Sequence, residues 1–576
     1  MLGTRCLLLA GLVLAFAYGQ TAQAQPAERQ DVKYWIFLKD KLDGAGKTTP
    51  VEAGYLTART LERRARRGTT PSSTLDAPLS LRYLDELRRL GITPLVQSRW
   101  LNAVSARLDE RQFDATRKLP FVLELRPVAQ VVPESLHEEE AEPAPLLPLA
   151  PPLTRLDYGP SRTQLEVVNA IPPLEREPPI NGAGVRLGIL DTEFGEFQHP
   201  AFAPLVNDGR LLADSNFVGV SQSSRHARSV ASIAVGFDEG QLIGPAYGVE
   251  LIGATTEFAP SETNQEEDNL VAALEWMESQ MGVDVVNISL GYADFFDPGQ
   301  NNYTTADIDG DTGITTRAAD MAAALGVIVV SSAGNEGDDS WRFVTMPADG
   351  DSVIAVAAVT AGGVRSGFSS IGPTADGRIK PDIAAMGSSV RRANSSTGYG
   401  SGNGTSFSSP MVAGVACQML QVNPELTPIE VRDILRATAS QAATPDNLLG
   451  WGIIDADAAI TEAERCADPA VACLKPISTA TEDEVPIPDA FEVRAPYPNP
   501  FSDETVLEVR APVGAGFARM SVYNLLGQRV DVPFEGTLNP GVNRIVLRAA
   551  TLPVGLYLYT LEGDQISHSG KMMVVR

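Results

Sequence analysis

Five segments limit what this chain can fold into: VRLGIL (185–190), VELIGA (249–254), VDVVNIS (283–289), GVIVVSS (326–332) and SVIAVAAV (352–359). They are rich in Val and Ile and too apolar on both alternating faces to lie in a sheet that meets solvent. Between them, NLVAALEWMESQM (269–281) and TTRAADMAAAL (315–325) have helical spacing and stop at Gly282 and Gly326. Strands buried on both faces and joined by helices predict a parallel, doubly wound α/β sheet. Catalytic groups in such sheets collect beyond the carboxyl ends of the strands. Three of these runs lead into polar or glycine-rich residues: Asp191, then Leu290 and Gly291, then Ala333, Gly334 and Asn335.

The stretch GNGTSFSSPMVAGVACQML (402–420) supplies the next element. Gly402 and Gly404 permit a tight turn before Ser406, and a following helix would offer Ser406 free N–H groups and a positive dipole end. Pro410 is expected early in that helix, where a missing donor is best tolerated. Taken alone, Ser406 reads as an N-cap. As a nucleophile it needs a base and an acid that orients the base.

The chain has only four histidines, which shortens the search. His137 lies in a Glu/Pro-rich stretch, His568 lies near the C-terminus, and His199 in EFQHP suits a loop. His226 heads SSRHARSVASIAVG's helical run, whose Ala227, Ser229, Ala231, Ser232 and Ala234 allow a neighbouring helix to approach closely. His226 is therefore the favoured base, and the order along the chain is Asp, His, Ser, one of the orders a triad can take. An α/β-hydrolase would need its histidine after Ser406, where only His568 in a separate module is available.

With 576 residues the chain exceeds what one core can organise. Residues 1–24 carry Arg5, an apolar run from Cys6 to Ala17, and Ala22 and Ala24 around Gln23. That is the pattern of a secretory signal, and the run falls short of the roughly 20 residues a bilayer span needs. No other segment is apolar for long enough, so the mature protein is expected to have no transmembrane segment. In an exported protein Cys466 and Cys473 are close enough to form a disulfide worth roughly 2 to 3 kcal/mol. Cys417, in MVAGVACQML, reads as a buried thiol.

The net charge of −26 is unevenly spread: residues 25–130 carry +6 and residues 131–576 carry −33. So acidic a chain is a poor partner for nucleic acid, whereas its basic segment could be held by the acidic remainder. Within 25–130, VKYWIFLK, LSLRYLDELRRLG, TPLVQS, RWLNAVSARL, DERQFDATRK and FVLELRPV predict a β-α-β-β-α-β order, a small ferredoxin-like α+β domain. A basic helix, EAGYLTARTLERRARRG, is inserted after the first strand. Residues 131–156 are a Pro/Glu-rich linker. A second linker is expected over 463–490. Over 491–576 the short alternating runs TVLEVRA, ARMSVYN, NRIVLRA and GLYLYTL predict a β-sandwich.

Together ILDTEF, RHARSVAS, VVNISLG, VSSAGNEG and GNGTSFSSP resemble the blocks of the subtilisin-like serine proteases, over residues 157–462. The resemblance implies an Asp191, His226 and Ser406 triad, with Asn335 as the side-chain oxyanion donor. It also implies a cleft lined by Ser289, Leu290, Gly291 and by Ser332, Ala333, Gly334, pairing with an extended peptide. The implied activity is a secreted serine endopeptidase acting on proteins or peptides, with no cofactor required for chemistry. A noncatalytic surface protein reusing the fold is the alternative. Glu193, the Ala227–Arg228 pair and Phe407 depart from the family's usual residues and bear on specificity and rate. The 25–130 segment resembles inhibitory, folding-assisting propeptides, which implies cleavage in the linker. AYPNPF, VYNLLGQRV, LPVGLYLYTL and KMMVVR look like the C-terminal sorting domain of type IX secretion, which implies outer-membrane export followed by release or surface attachment. In DIDGDTG, Asp307, Asp309 and Asp311 alternate in a way that suits Ca²⁺. The distal glutamate of an EF-hand is missing, so an acidic turn is favoured over structural calcium.

Overall fold

The computed structural model describes residues 32–474 and 491–575, except 44, 70–74, 129–138, 141–154, 196, 222–223, 259–264, 294–302 and short turns of the C-terminal unit at 497–498, 502–503, 513–516, 526, 539–540, 550–551 and 564–565. The signal-like segment 1–24, His137 and most of both linkers lie outside the described residues.

The central unit is a seven-stranded, all-parallel sheet. Its strands are β6 (Arg186–Asp191), β7 (Leu211–Asn216), β8 (Glu250–Thr255), β9 (Val285–Ile288), β10 (Ile328–Ser332), β11 (Ile354–Val359) and β12 (Ile383–Met386), in the order β12-β11-β10-β9-β6-β8-β7. All five Val/Ile-rich runs are strands here. The helices α4 (His226–Val235) and α7 (Thr405–Val422) share one core with Leu187, Ile189, Val330 and Val356. On the other face α5 (Gln265–Trp276) and α6 (Ile314–Ala324) share a core with Leu190, Ile252, Val286 and Val329. Gly282 and Gly326 end that second pair of helical segments at φ of +60° and +90°, a left-handed conformation that few other residues adopt at low cost.

The N-terminal unit contains β1 (Val32–Leu38), α1 (Ala58–Arg66), α2 (Leu81–Arg89), β2 (Val96–Ser98), β3 (Ala103–Leu108), α3 (Glu110–Thr116) and β4 (Val122–Pro127). Its antiparallel sheet has the order β2-β3-β1-β4, as a ferredoxin-like domain requires. Alternation along β1 explains its two faces. Ile36 and Leu38 join Leu84 and Leu87 of α2, while Trp35 and Phe37 pack with Leu270, Leu274 and Met321 of α5 and α6. The sheet therefore lies on these two helices. The charge asymmetry in the sequence takes the form of buried ion pairs across the contact: Lys33 with Asp268 at 2.8 Å, Arg67 with Asp284 at 3.0 Å, and Arg63 with Glu278. The inserted helix is shorter than its sequence predicts, because Gly54 turns at φ +84° and Thr57 caps the helix three residues later.

A separate small sheet joins β13 (Val390–Ala393), β14 (Tyr399–Asn403) and β5 (Glu139–Glu140), a two-residue strand from the 131–156 segment. At the C-terminal end, β15 (Glu492–Val493), β16 (Glu504–Ala511) and β19 (Gly541–Arg548) form one sheet. The other contains β17 (Phe517–Tyr523), β18 (Arg529–Thr537), β20 (Gly555–Gly563) and β21 (Ser567–Val574). Both sheets contribute to one core through Leu507, Ile545, Met520 and Tyr559, making a β-sandwich. Cys466 and Cys473 are joined as a disulfide, and Cys417 is buried and free.

Candidate active site

β6 ends at Asp191, whose carboxylate is fully buried. Its Oδ1 accepts from the Thr192 N–H at 2.7 Å and from the Thr192 hydroxyl at 3.2 Å. The same oxygen is 2.7 Å from Nδ1 of His226, the first residue of α4. The small residues that follow His226 are buried against the core, as their size predicts. Thr192 reaches the helix directly, since its hydroxyl accepts from the Ala227 N–H at 3.3 Å. His199 is committed elsewhere. Its Nδ1 accepts from the Ala201 N–H at 3.1 Å, its Nε2 is 3.0 Å from the Gly398 carbonyl, and burial pushes its pKa down.

Ser406 is the second residue of α7 and is 8% exposed. Its hydroxyl donates to the Ser289 carbonyl at 3.2 Å, and the Ser289 hydroxyl donates to the Ser406 carbonyl at 3.0 Å. Pro410 explains the second bond. It is the sixth residue of α7, early in the helix as expected but past the first turn, so its missing donor leaves a carbonyl without its helical partner. The N–H it lacks is the one that would bond the Ser406 carbonyl four residues back, and Ser289 provides the substitute. Ser289 is itself held by Asn287 Nδ2 at 2.9 Å, and Asn287 Oδ1 accepts from the Ser409 hydroxyl at 2.7 Å.

Asn335 follows β10. Its carboxamide oxygen accepts from the Thr405 N–H at 2.9 Å and from the Thr405 hydroxyl at 3.0 Å. The amide oxygen is engaged by the residue next to Ser406, which fixes the plane of the Asn335 amide. Thr405 thus orients Asn335, a role that sequence reasoning missed although the residue stands in the GTS triplet.

The other residues expected to line a cleft occupy the ends of the adjacent strands β9 and β10. Ser289, Leu290, Ser332 and Ala333 are buried. Gly334 has φ +108°, and a Cβ there would lie 2.3 Å from Glu336 Oε2, so only glycine fits. Behind this rim the Tyr292 hydroxyl donates to Glu257 at 2.5 Å. Burial pushes Glu257 up to about 7, and the charge of Asp191 adds to the effect. Arg228 extends beside Gly195, where a Cβ would be 3.0 Å from Nη2, and its charge reaches His199.

The acidic turn is occupied by its own hydrogen bonds. Asp307 accepts from the Thr304 N–H at 2.7 Å and from its hydroxyl at 2.8 Å. Asp309 accepts from the N–H groups of Asp311 and Thr312 at 2.9 and 2.7 Å. Burial raises the pKa of the Asp311 carboxyl. Among the described residues no group of three or more His, Cys, Asp or Glu side chains could hold a metal ion.

Residues 182–452 match the subtilase family, residues 33–143 the peptidase S8 propeptide domain of Bacteroidota, and residues 495–575 the secretion system C-terminal sorting domain. Subtilisin DY of Bacillus licheniformis is 32% identical over 286 residues, 48% of this chain and 91% of that protein. Subtilisin NAT of Bacillus subtilis subsp. natto is 27% identical over 390 residues, 67% of this chain and 88% of that protein. A solved protease from Pseudoalteromonas arctica PAMC 21717 is 23% identical, covering 49% of this chain and 91% of its own at a TM-score of 0.39. The sorting domain directs the chain to secretion or the cell surface. No helix among the described residues is long and apolar enough to cross a membrane. With an Asp-His pair and a helix-borne serine on one sheet rim, and with this identity across nine-tenths of a subtilisin, the chain belongs to the subtilase family and is a serine endopeptidase made as a proenzyme.

Proposed function

We propose that Asp191, His226 and Ser406 perform the hydrolysis, with Asn335 stabilising the oxyanion. The observation that carries this is the 2.7 Å contact of Asp191 with Nδ1, which leaves Nε2 as the nitrogen of His226 that can act as a base. Nε2 takes the Ser406 proton as Oγ adds to the peptide carbonyl carbon. The carbonyl electron pair moves to oxygen, which accepts from Asn335 Nδ2 and the Ser406 N–H. Collapse of this adduct breaks the C–N bond, and the departing amine takes the proton from His226. Water then repeats the addition on the acyl-enzyme, releasing the acid and restoring Ser406. Ser289, Leu290, Gly291 and Ser332, Ala333, Gly334 hold the substrate as an added strand. Metal is absent from every step, and we read Asp307, Asp309 and Asp311 as a self-capped turn.

Residues 25–130 act as an intramolecular inhibitor, the 131–156 linker is the site of maturation, and residues 491–576 are delivered to the type IX machinery and removed. Two pairings support maturation at the active site: Glu139 lies opposite Asn403 and Glu140 opposite Gly402, antiparallel. The antiparallel register sets Glu139 beside Asn403, the end of β14 that leads to Ser406 three residues later. Labelling with a serine-directed fluorophosphonate tests the reading. Wild-type enzyme should be labelled and Ser406→Ala should not; equal labelling would refute the role of Ser406. N-terminal sequencing should find a cut in 131–156 in wild type and an intact linker in Ser406→Ala.

A further inference from the structure

The inserted helix α1 meets the catalytic unit at a place unrelated to the cleft. Arg63 Nη1 donates to the Leu325 carbonyl at 2.7 Å, and its Nη2 to Glu278. Arg64 clasps Glu278 through Nε at 2.8 Å and Nη2 at 2.7 Å, and turns its other edge to Asp76 of its own domain at 2.8 and 2.9 Å. Arg67 donates to the Gly326 carbonyl and to Asp284 Oδ1, the latter at 3.0 Å. Arg59 reaches Asp284 Oδ2 at 2.6 Å and the Gly184 carbonyl at 3.0 Å. Arg63, Arg64, Arg67, Glu278 and Asp284 are all buried.

On the catalytic side, the receiving surface joins the carboxyl ends of two helical segments to two carboxylates. Glu278 lies in the widened turn Met277–Met281 that continues α5, and the Leu325 and Gly326 carbonyls lie just past α6. Helix carboxyl ends carry partial negative charge, so this place is doubly suited to cations. Arg186, whose backbone N–H donates to Asp284 Oδ2 at 3.0 Å, has its guanidinium paired with Glu250 at 2.7 Å and with the Met281 carbonyl at 2.6 Å. Planar guanidinium forks suit this mixture of carboxylate and carbonyl acceptors, whereas a lysine ammonium would meet fewer of them in one plane.

The socket also lies on the opposite rim from the chemistry. Asp284 precedes the four-residue β9 and Ser289 follows it, and the five steps between them span about 16 Å. Prodomain and linker are therefore held at opposite ends of the sheet, the linker by β5 at the reactive rim and the prodomain by α1 at the other.

We propose that Glu278, Asp284 and the carboxyl ends of α5 and α6 form an exosite selective for guanidinium groups, which retains the arginine helix after the linker is cut and so keeps the cut enzyme inhibited. This rests on the maturation reading above. The test uses the full chain as wild type, Arg63→Ala/Arg67→Ala and Arg63→Lys/Arg67→Lys, with cutting read on a denaturing gel and association by gel filtration. In wild type the cut prodomain should co-elute with the catalytic unit and activity should appear late. In the alanine variant the fragments should separate, with a dissociation constant raised about 30-fold or more, and the lysine variant should follow it rather than wild type. A wild-type chain left in one piece would overturn the maturation reading. Cut fragments that stay together equally in all three proteins would overturn the exosite.

A second measurement needs no variant to fold. Mature enzyme freed of prodomain and blocked at its serine by fluorophosphonate should bind a labelled peptide of residues 57–67, about tenfold more tightly than the same peptide with lysine for arginine. Equal binding of the two peptides would overturn the proposal.

Discussion

His226 Nδ1 stands 2.7 Å from Asp191 Oδ1, in a pocket where the aspartate is fully buried and the histidine nearly so. Such a pair fixes the histidine tautomer and stabilises the imidazolium formed during proton transfer. Asp191→Asn should leave the fold intact and lower kcat by about 10⁴, measured on a chromogenic peptide with circular dichroism as the control. A loss below tenfold would contradict this role.

Asn335 is oriented by Thr405, and in the proposed mechanism its substitution removes one oxyanion donor. Asn335→Ala should reduce kcat by about 100 to 1000-fold with KM little changed. Thr405→Val should lower kcat in the same direction by freeing the Asn335 amide to rotate. Steady-state kinetics on both variants check this.

Ser289 compensates for Pro410. Ser289→Ala should strand the buried Ser406 carbonyl and cost about 1–3 kcal/mol of stability, read from denaturant unfolding of the Ser406→Ala protein with and without the second substitution.

The prodomain contact should depend on pH. Glu275 is covered by Ser98, Arg99 and Trp100, and burial pushes its carboxyl up to about 7 against the hydrogen bonds those residues donate. Lys41 faces it, pushed down to about 7 by burial, and Tyr55, Asp76 and Arg99 complete the surroundings. A carboxyl whose pKa is raised in the complex takes up a proton on association. Its contribution is full below the ordinary glutamate range and is lost as pH rises to about 7. Retention of the cut prodomain on gel filtration should therefore weaken between about pH 5 and 7, and Glu275→Gln should flatten that slope.

Chelation should leave the Tm unchanged, because the carboxylates of Asp307 and Asp309 already serve the turns around them. A drop in Tm with EDTA that calcium reverses would place an ion there.

The parallel sheet was legible because strands covered on both faces must be apolar throughout, and the pairing of Asp191 with His226 because histidine is so scarce. Other features were hidden for physical reasons. The edge strand β7, LLADSN, is half-exposed and mixes polar with apolar residues, and β12, IAAM, is short and rich in alanine. Neither has the composition that marks a strand. Arg63 and Arg67 look like a solvated face, because their acceptors lie more than 200 positions away and include the Leu325 and Gly326 carbonyls. The joint between Ser289 and Ser406 depends on a proline's missing proton, which only the register of α7 makes consequential.

That missing proton ties the reactive serine to the floor of the cleft. Two hydrogen bonds run in opposite directions between Ser406 and Ser289, each using one hydroxyl and one carbonyl. In this ring the Ser406 hydroxyl proton rests on the Ser289 carbonyl oxygen. Rotation of a single χ1 opens one side of the ring, and the other side continues to hold the backbone in register. Under the proposed role of Ser406, arming the nucleophile is thus a side-chain event alone and leaves the helix that carries the serine in place.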